Sequence, residues 1–165
     1  MTLTTIYLLL GSNLGDRVQL MQTAATHIEQ RIGNVLRASS LYETAPWGGI
    51  AQPAFLNQVL EVRTALAPEE VLRIILEIEH ESGRVRYERW GARHLDIDIL
   101  YFGQVSMDTP RLTVPHPRLH ERRFTLVPLV EIAPDFMHPV LEKTNVELLE
   151  VCRDNEEVKK WTPVG

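Results

Sequence analysis

Cysteine is nearly absent. The single Cys152 excludes an internal disulfide and suits a reducing compartment. It lies in an apolar helical pattern and reads as a small core residue rather than a nucleophile. No apolar run is long enough to cross a bilayer, and the start, MTLTTIYLLLGSN, has no basic leader. The reading is therefore cytoplasmic, with no membrane partner. A basic excess is also missing: the net charge of −5 argues against a general nucleic-acid binder. Repeats, low-complexity runs and linkers are lacking too, so residues 1–165 read as one domain and as a monomer.

Lysine is scarce in a different way, because arginine takes its place: fourteen of the seventeen basic residues are Arg. Arginine is the better planar, bidentate ligand for phosphate. Eight of the fourteen fall between Arg84 and Arg123. Within that stretch, RVRYERWGARHLDIDILYFG places Arg84, Arg86, Arg89 and Arg93 directly before Asp96 and Asp98. Residues 84–94 have no period and read as a mobile loop; 94–102 read as a strand in which Leu95, Ile97, Ile99 and Tyr101 alternate with Asp96, Asp98, Leu100 and Phe102. Two aspartates at spacing two share a strand face, with Cα atoms roughly 6.6 Å apart. They repel one another unless cations lie between them, and the spacing suits carboxylate ligation of Mg²⁺. Solvated exposure of both the arginines and the aspartates is the bland alternative.

The rest of the chain surrounds this stretch with ordinary elements. Thr4 to Leu10 is a near-continuous apolar strand ending at a Gly11-Ser12-Asn13 turn. A helix follows, capped by Asn13 or Asp16, with Val18, Met21, Ala25, Ile28 and Ile32 on its buried face and Gly33 as a left-handed end cap. Val35 to Glu43 is a second strand. A Gly- and Pro-rich loop over residues 44–53 carries Trp47, either a packing lid or a stacking surface for a flat ligand. Ala54 to Thr64 is a third strand, with Phe55, Asn57 and Val59 on the face opposite Leu56, Gln58, Leu60 and Val62; Asn57 on it is either an edge or strand-end residue or the reader of a heterocycle edge. Pro68 opens a second helix, and Glu79 sits in its last turn, where the dipole disfavours an acid. After residue 103 come a turn or short hairpin, a proline-closed extended segment holding His116, and a helical stretch from Arg118 to Ile132 whose Pro128 implies two short pieces or a kink. Thr144 to Glu147 is a capping box, and 158–161 offers an edge strand.

The order β-α-β-β-α-β implies an α+β fold: a ferredoxin-like sandwich, with one antiparallel sheet, helices on one face, C-terminal helices besides, and an open sheet face for ligands. Four motifs carry a more specific resemblance. They are Leu10-Gly-Ser-Asn-Leu-Gly, then Tyr42-Glu-Thr-Ala-Pro through Gln52-Pro-Ala-Phe-Leu-Asn57, then Arg89-Trp-Gly-Ala-Arg93-His-Leu-Asp96-Ile-Asp98, then Arg111-Leu-Thr-Val-Pro-His116 through Phe124. In this order they resemble 6-hydroxymethyl-7,8-dihydropterin pyrophosphokinase, a folate-pathway enzyme family, over the whole chain.

That resemblance implies pyrophosphate transfer from ATP to a pterin hydroxymethyl group with two Mg²⁺ ions, AMP being released, and only small-molecule substrates as partners. It implies Asp96 and Asp98 as metal ligands, and Arg84, Arg93 and Trp90 on a loop that closes over the substrates. Glu79, Arg86, Arg111, Thr113, His116 and Arg122 would contact the nucleotide. Thr44, Ala45, Trp47, Phe55, Asn57 and Phe124 would line the pterin site. Ala92 stands where many members have proline. Two rival readings use the same fold: a metal-dependent nucleotidyl transferase or nuclease, and an RNA-recognition-like module, which would want a basic sheet face with exposed aromatics.

Overall fold

The computed structural model describes residues 2–13, 16–44, 54–83 and 95–162. Strand β1 (Thr4–Ser12) is buried over its last seven residues, as its apolar run predicts. It pairs antiparallel with β4 (Phe55–Thr64) on one side and β5 (Asp96–Phe102) on the other. Strands β2 (Gly33–Ala38) and β3 (Tyr42–Thr44) both pair antiparallel with β4. The sheet runs β5-β1-β4-β3-β8, with β2 also on β4 and β8 (Lys159–Lys160) on β3 as the sequence suggests. A small hairpin joins β6 (Met107–Asp108) to β7 (Thr113–Val114).

Helices α1 (Arg17–Arg31) and α2 (Pro68–Gly83) cover one sheet face. Their Met21, Ala24, Ile28, Val71, Ile75 and Ile78 pack on Ile6, Leu8, Leu10, Leu56 and Leu60. The expected open face is only half open. Helices α3 (Arg123–Ile132) and α4 (Asn145–Val151) seal part of it with Leu126, Leu129 and Leu148 over Tyr7, Leu9, Val59 and Leu100. Among the described residues, no helix is long and apolar enough to cross a membrane.

Four local expectations are corrected. The strand predicted over residues 35–43 is two strands: at Ser39 the N–H still donates to the Val59 carbonyl at 2.9 Å, but the Ser39 side chain takes the acceptor's place in the ladder. Its Oγ accepts from the Val59 N–H at 2.9 Å, and its carbonyl accepts from Gln58 Nε2. Gly33 is not a left-handed cap but the first residue of β2. A Cβ there would come within 2.1 Å of the Arg63 carbonyl oxygen. Strict alternation fails in β5: the register against β1 shifts at Leu100, which sends both Leu100 and Tyr101 to the face sealed by α3. Finally, the stretch after Arg118 is indeed two pieces, a 3-10 turn over Leu119–Glu121 and α3, but Pro128 is not the cause: it lies inside α3, and the break falls at Arg122. The capping box holds as read, with Thr144 and Glu147 each accepting from the other's backbone N–H.

Candidate active site

Where α3 and α4 leave the second face uncovered, a cavity of about 670 Å³ opens over the end of β1. Its floor follows from strand parity. Gly11 of β1 is registered against Asn57 of β4 on one side and Asp96 of β5 on the other. Leu9, two residues back on the same face, is registered against Val59 and Asp98. Asn57, Gly11 and Asp96 therefore form one rung, and Asp98 belongs to the next. Phe55 and Thr44, paired at the end of β3 and β4, continue the floor beyond Asn57. Phe124 and Arg122, at the start of α3, form part of the wall. The Arg122 guanidinium carbon sits 5.6 Å from the Phe124 ring centroid, a cation-π contact that steadies the ring.

Seven of the predicted site residues thus meet in one cavity: Thr44, Phe55, Asn57, Asp96, Asp98, Arg122 and Phe124. Asn57 is only 5% exposed, and its amide brings two donors and an acceptor to the cavity floor. That is the chemistry of a heterocycle reader. Asp96 and Asp98 are half-buried on the same wall. They fit Mg²⁺: the donors are hard oxygens. Among the described residues no group of three or more His, Cys, Asp or Glu could hold an ion; Mg²⁺ ordinarily needs only one or two carboxylates beside water and phosphate oxygens.

The remaining described candidates lie around β5, the outermost strand on its side of the sheet. Glu79 of α2 accepts a 2.7 Å hydrogen bond from the Ile97 N–H, between the two aspartates. The His116 N–H donates to the Leu100 carbonyl farther along the same strand. His116 and Thr113 line a separate cavity of about 230 Å³ with His120 and His138. Burial holds the His116 imidazolium below its ordinary pKa; Asp98 opposes this, while Arg122 and Arg118 add to it. With Nδ1 accepting from the Arg118 N–H, neutral His116 keeps its Nε2–H as a donor. Arg111 is exposed and 4.0 Å from Glu69, a weak ion pair. Ala45, Trp47, Arg84, Arg86, Trp90 and Arg93 lie outside the described residues.

The sequence reading missed several lining residues. Arg118 and Glu121 lie on the turn before α3, and Asp154 and Glu156 come from the segment after α4. Asp154 reaches the cavity because its carboxylate accepts the Arg123 N–H at the start of α3. Partial burial, with Asp154 close by, raises the Glu156 pKa. Gly11, singled out only as a turn residue, proves to be the centre of the floor.

The chain is similar to known proteins. A family model described as 7,8-dihydro-6-hydroxymethylpterin-pyrophosphokinase matches residues 7–134. The chain is 40% identical over 156 residues to the 2-amino-4-hydroxy-6-hydroxymethyldihydropteridine pyrophosphokinase of Bacillus subtilis, covering 94% of this chain and 89% of that one. It is 43% identical over 136 residues to the protein of the same name from Methylorubrum extorquens, covering 82% and 86%. Among solved structures, the Plasmodium falciparum HPPK-DHPS triple mutant superposes with a TM-score of 0.75 at 18% identity. That match covers 90% of this chain but only 43% of the longer one, and it bears on the fold alone. With the family model spanning most of its length and relatives at this identity, the chain belongs to the 7,8-dihydro-6-hydroxymethylpterin-pyrophosphokinase family.

Proposed function

We infer that the protein transfers the pyrophosphoryl group of ATP to the hydroxymethyl oxygen of 6-hydroxymethyl-7,8-dihydropterin and releases AMP, a step of folate biosynthesis. One observation carries the reading: a buried amide able to read a heterocycle and a carboxylate pair able to hold a metal share one cavity floor, separated only by Gly11. We take the β5-β1-β4 order, with β2 and β3 together beyond β4, as the ferredoxin-like arrangement. The protein acts as a single cytoplasmic domain, as a monomer, on small molecules.

The pterin lies over Asn57, Thr44 and Phe55 with its ring against Phe124. Asn57 supplies edge hydrogen bonds and Phe124 a flat apolar contact. The triphosphate lies toward Asp96 and Asp98, with His116, Thr113, Arg111 and Glu79 serving the nucleotide side. In the reaction a bond forms between the hydroxymethyl oxygen and the β-phosphorus. The bond from that phosphorus to the oxygen bridging to the α-phosphate breaks, AMP departs with the electron pair, and the hydroxyl proton is lost. Asp96 and Asp98 would hold two Mg²⁺ ions, which would supply neutralisation of phosphate charge and lower the pKa of the attacking hydroxyl. Arg122 lies on the cavity wall where it can meet phosphate charge, and Arg84, Arg86 and Arg93 complete the cationic set.

Incubation with γ-³²P-labelled ATP, Mg²⁺ and the hydroxymethyl pterin tests this. Label moves into the pterin product while unlabelled AMP forms. Labelled pterin accompanied by ADP, or hydrolysis of a nucleic-acid substrate in its place, overturns the reading.

A further inference from the structure

Arg17 is the first residue of α1, where the helix dipole disfavours a cation. Its side chain nevertheless folds inward and is only 21% exposed. Its Nη1 donates to Glu43 Oε2 at 3.0 Å and to the Ala54 carbonyl oxygen at 2.6 Å. Glu43 lies in β3, and Ala54 immediately precedes β4. One nitrogen thus ties together the two strands at the end where they carry Thr44 and Phe55, which are paired across the ladder and line the cavity beside Asn57. Among the described residues three pairs join β3 to β4, and β8 joins β3 at Tyr42 and Glu43 rather than at Thr44, so the Arg17 bonds add a fastening at the end of the ladder nearest the cavity. The charge-assisted bond to Glu43, half shielded from water, is of the stronger kind.

We propose that Arg17 is a positioning residue for the heterocycle side of the site. By clamping Glu43 and Ala54 it fixes the spacing of Thr44 and Phe55 and so sets the affinity for the pterin, without touching substrate. The proposal rests on the reading above that Thr44, Phe55 and Asn57 form the pterin end of the cavity.

The experiment measures equilibrium binding of 6-hydroxymethyl-7,8-dihydropterin and, separately, of a non-hydrolysable ATP analogue with Mg²⁺. It compares the full-length protein with its Arg17→Met, Arg17→Lys, Glu43→Gln and Asn57→Ala variants. Arg17→Met keeps the stem and removes the donors; it weakens pterin binding on the order of tenfold and leaves the nucleotide Kd within about twofold. Arg17→Lys, whose ammonium has donors for both acceptors, recovers most of the loss. Glu43→Gln keeps an oxygen acceptor and falls between. Unchanged pterin binding in Arg17→Met, or equal losses for both ligands, overturns the role of Arg17. If Asn57→Ala leaves pterin binding intact, it is the placement of the pterin that fails. Should Arg17→Met fold poorly, Glu43→Gln decides: wild-type pterin affinity there, with the melting temperature lowered, reduces Arg17 to a structural clamp.

Discussion

Asn57 and Asp96 stand on one rung of the sheet, on either side of Gly11. Two strand spacings separate their backbones, about 10 Å in all. In the proposed placement this gives room for a pterin whose ring is read at one end and whose substituent meets a phosphate at the other. The absent side chain at Gly11 keeps that span clear.

Gly11→Ala tests the floor. A Cβ at Gly11 would lie 2.9 Å from Asn57 Oδ1, so the Asn57 amide must turn aside. Pterin affinity is expected to fall on the order of tenfold, the scale of a displaced buried hydrogen bond, with nucleotide affinity unchanged. Titration calorimetry with each ligand checks this. Gly11→Val, which fills the span, loses pterin binding more severely.

Glu79→Ala tests how the aspartates are held. The Glu79 carboxylate accepts the Ile97 N–H, which lies between Asp96 and Asp98 on the outer strand. Its removal loosens the backbone that aims Asp96 and Asp98, the two proposed metal ligands. The Mg²⁺ concentration for half-maximal turnover is expected to rise about tenfold, as for other supports of metal ligands. Glu79→Gln keeps an acceptor and stays near wild type. A Mg²⁺ titration of AMP release measures both.

Stability should respond to pH through His138. The side chain is buried; burial, and then the charge of nearby His120, hold its pKa below the ordinary 6.5. Its Nδ1 accepts the Val140 and Leu141 N–H groups, so the neutral form is the one that fits. The unfolded chain binds this proton more readily than the folded one. The stabilising contribution is therefore complete above about pH 6.5 and declines as pH falls toward the lower folded value. His138→Asn offers an acceptor without titrating. Its melting-temperature deficit relative to wild type should shrink between pH 7 and pH 5, as thermal scans would show.

A change remote from the cavity separates folding from function. Glu61 is buried, accepts a 2.5 Å bond from the Tyr7 hydroxyl and pairs with Arg37 at 2.9 Å. Burial alone would raise its pKa, but the bonds from Arg37 and Tyr7 hold it below the usual carboxylate value. Glu61→Ala strands the Tyr7 hydroxyl in the core and is expected to cost about 2–3 kcal/mol in denaturant unfolding. Dissociation constants for pterin and nucleotide remain at wild-type values.

The sequence disclosed what depends on local pattern. Alternation placed Asp96 and Asp98 on one face, and Asn57 on the face opposite Leu56 and Leu60; each lies as read. The capping box at Thr144 and the edge strand near Lys159 rest on local residues and were equally legible. What stayed hidden depends on partners distant along the chain. The Leu100 bulge is set by pairing with β1, and the role of Gly33 by a carbonyl on β4. Arg17 looks like any solvated helix-start arginine until Glu43 and Ala54 are seen beside it. Asp154 enters the cavity only because α3 offers it a free N–H.

The most direct test is turnover by the Asp96→Ala/Asp98→Ala double variant, followed as AMP release with ATP, Mg²⁺ and 6-hydroxymethyl-7,8-dihydropterin. The pterin should still bind it with near wild-type affinity, because Asn57 and Phe124 are untouched, while AMP release falls to background. AMP production at a near-normal rate would contradict the central claim that these two carboxylates hold the metal for pyrophosphoryl transfer.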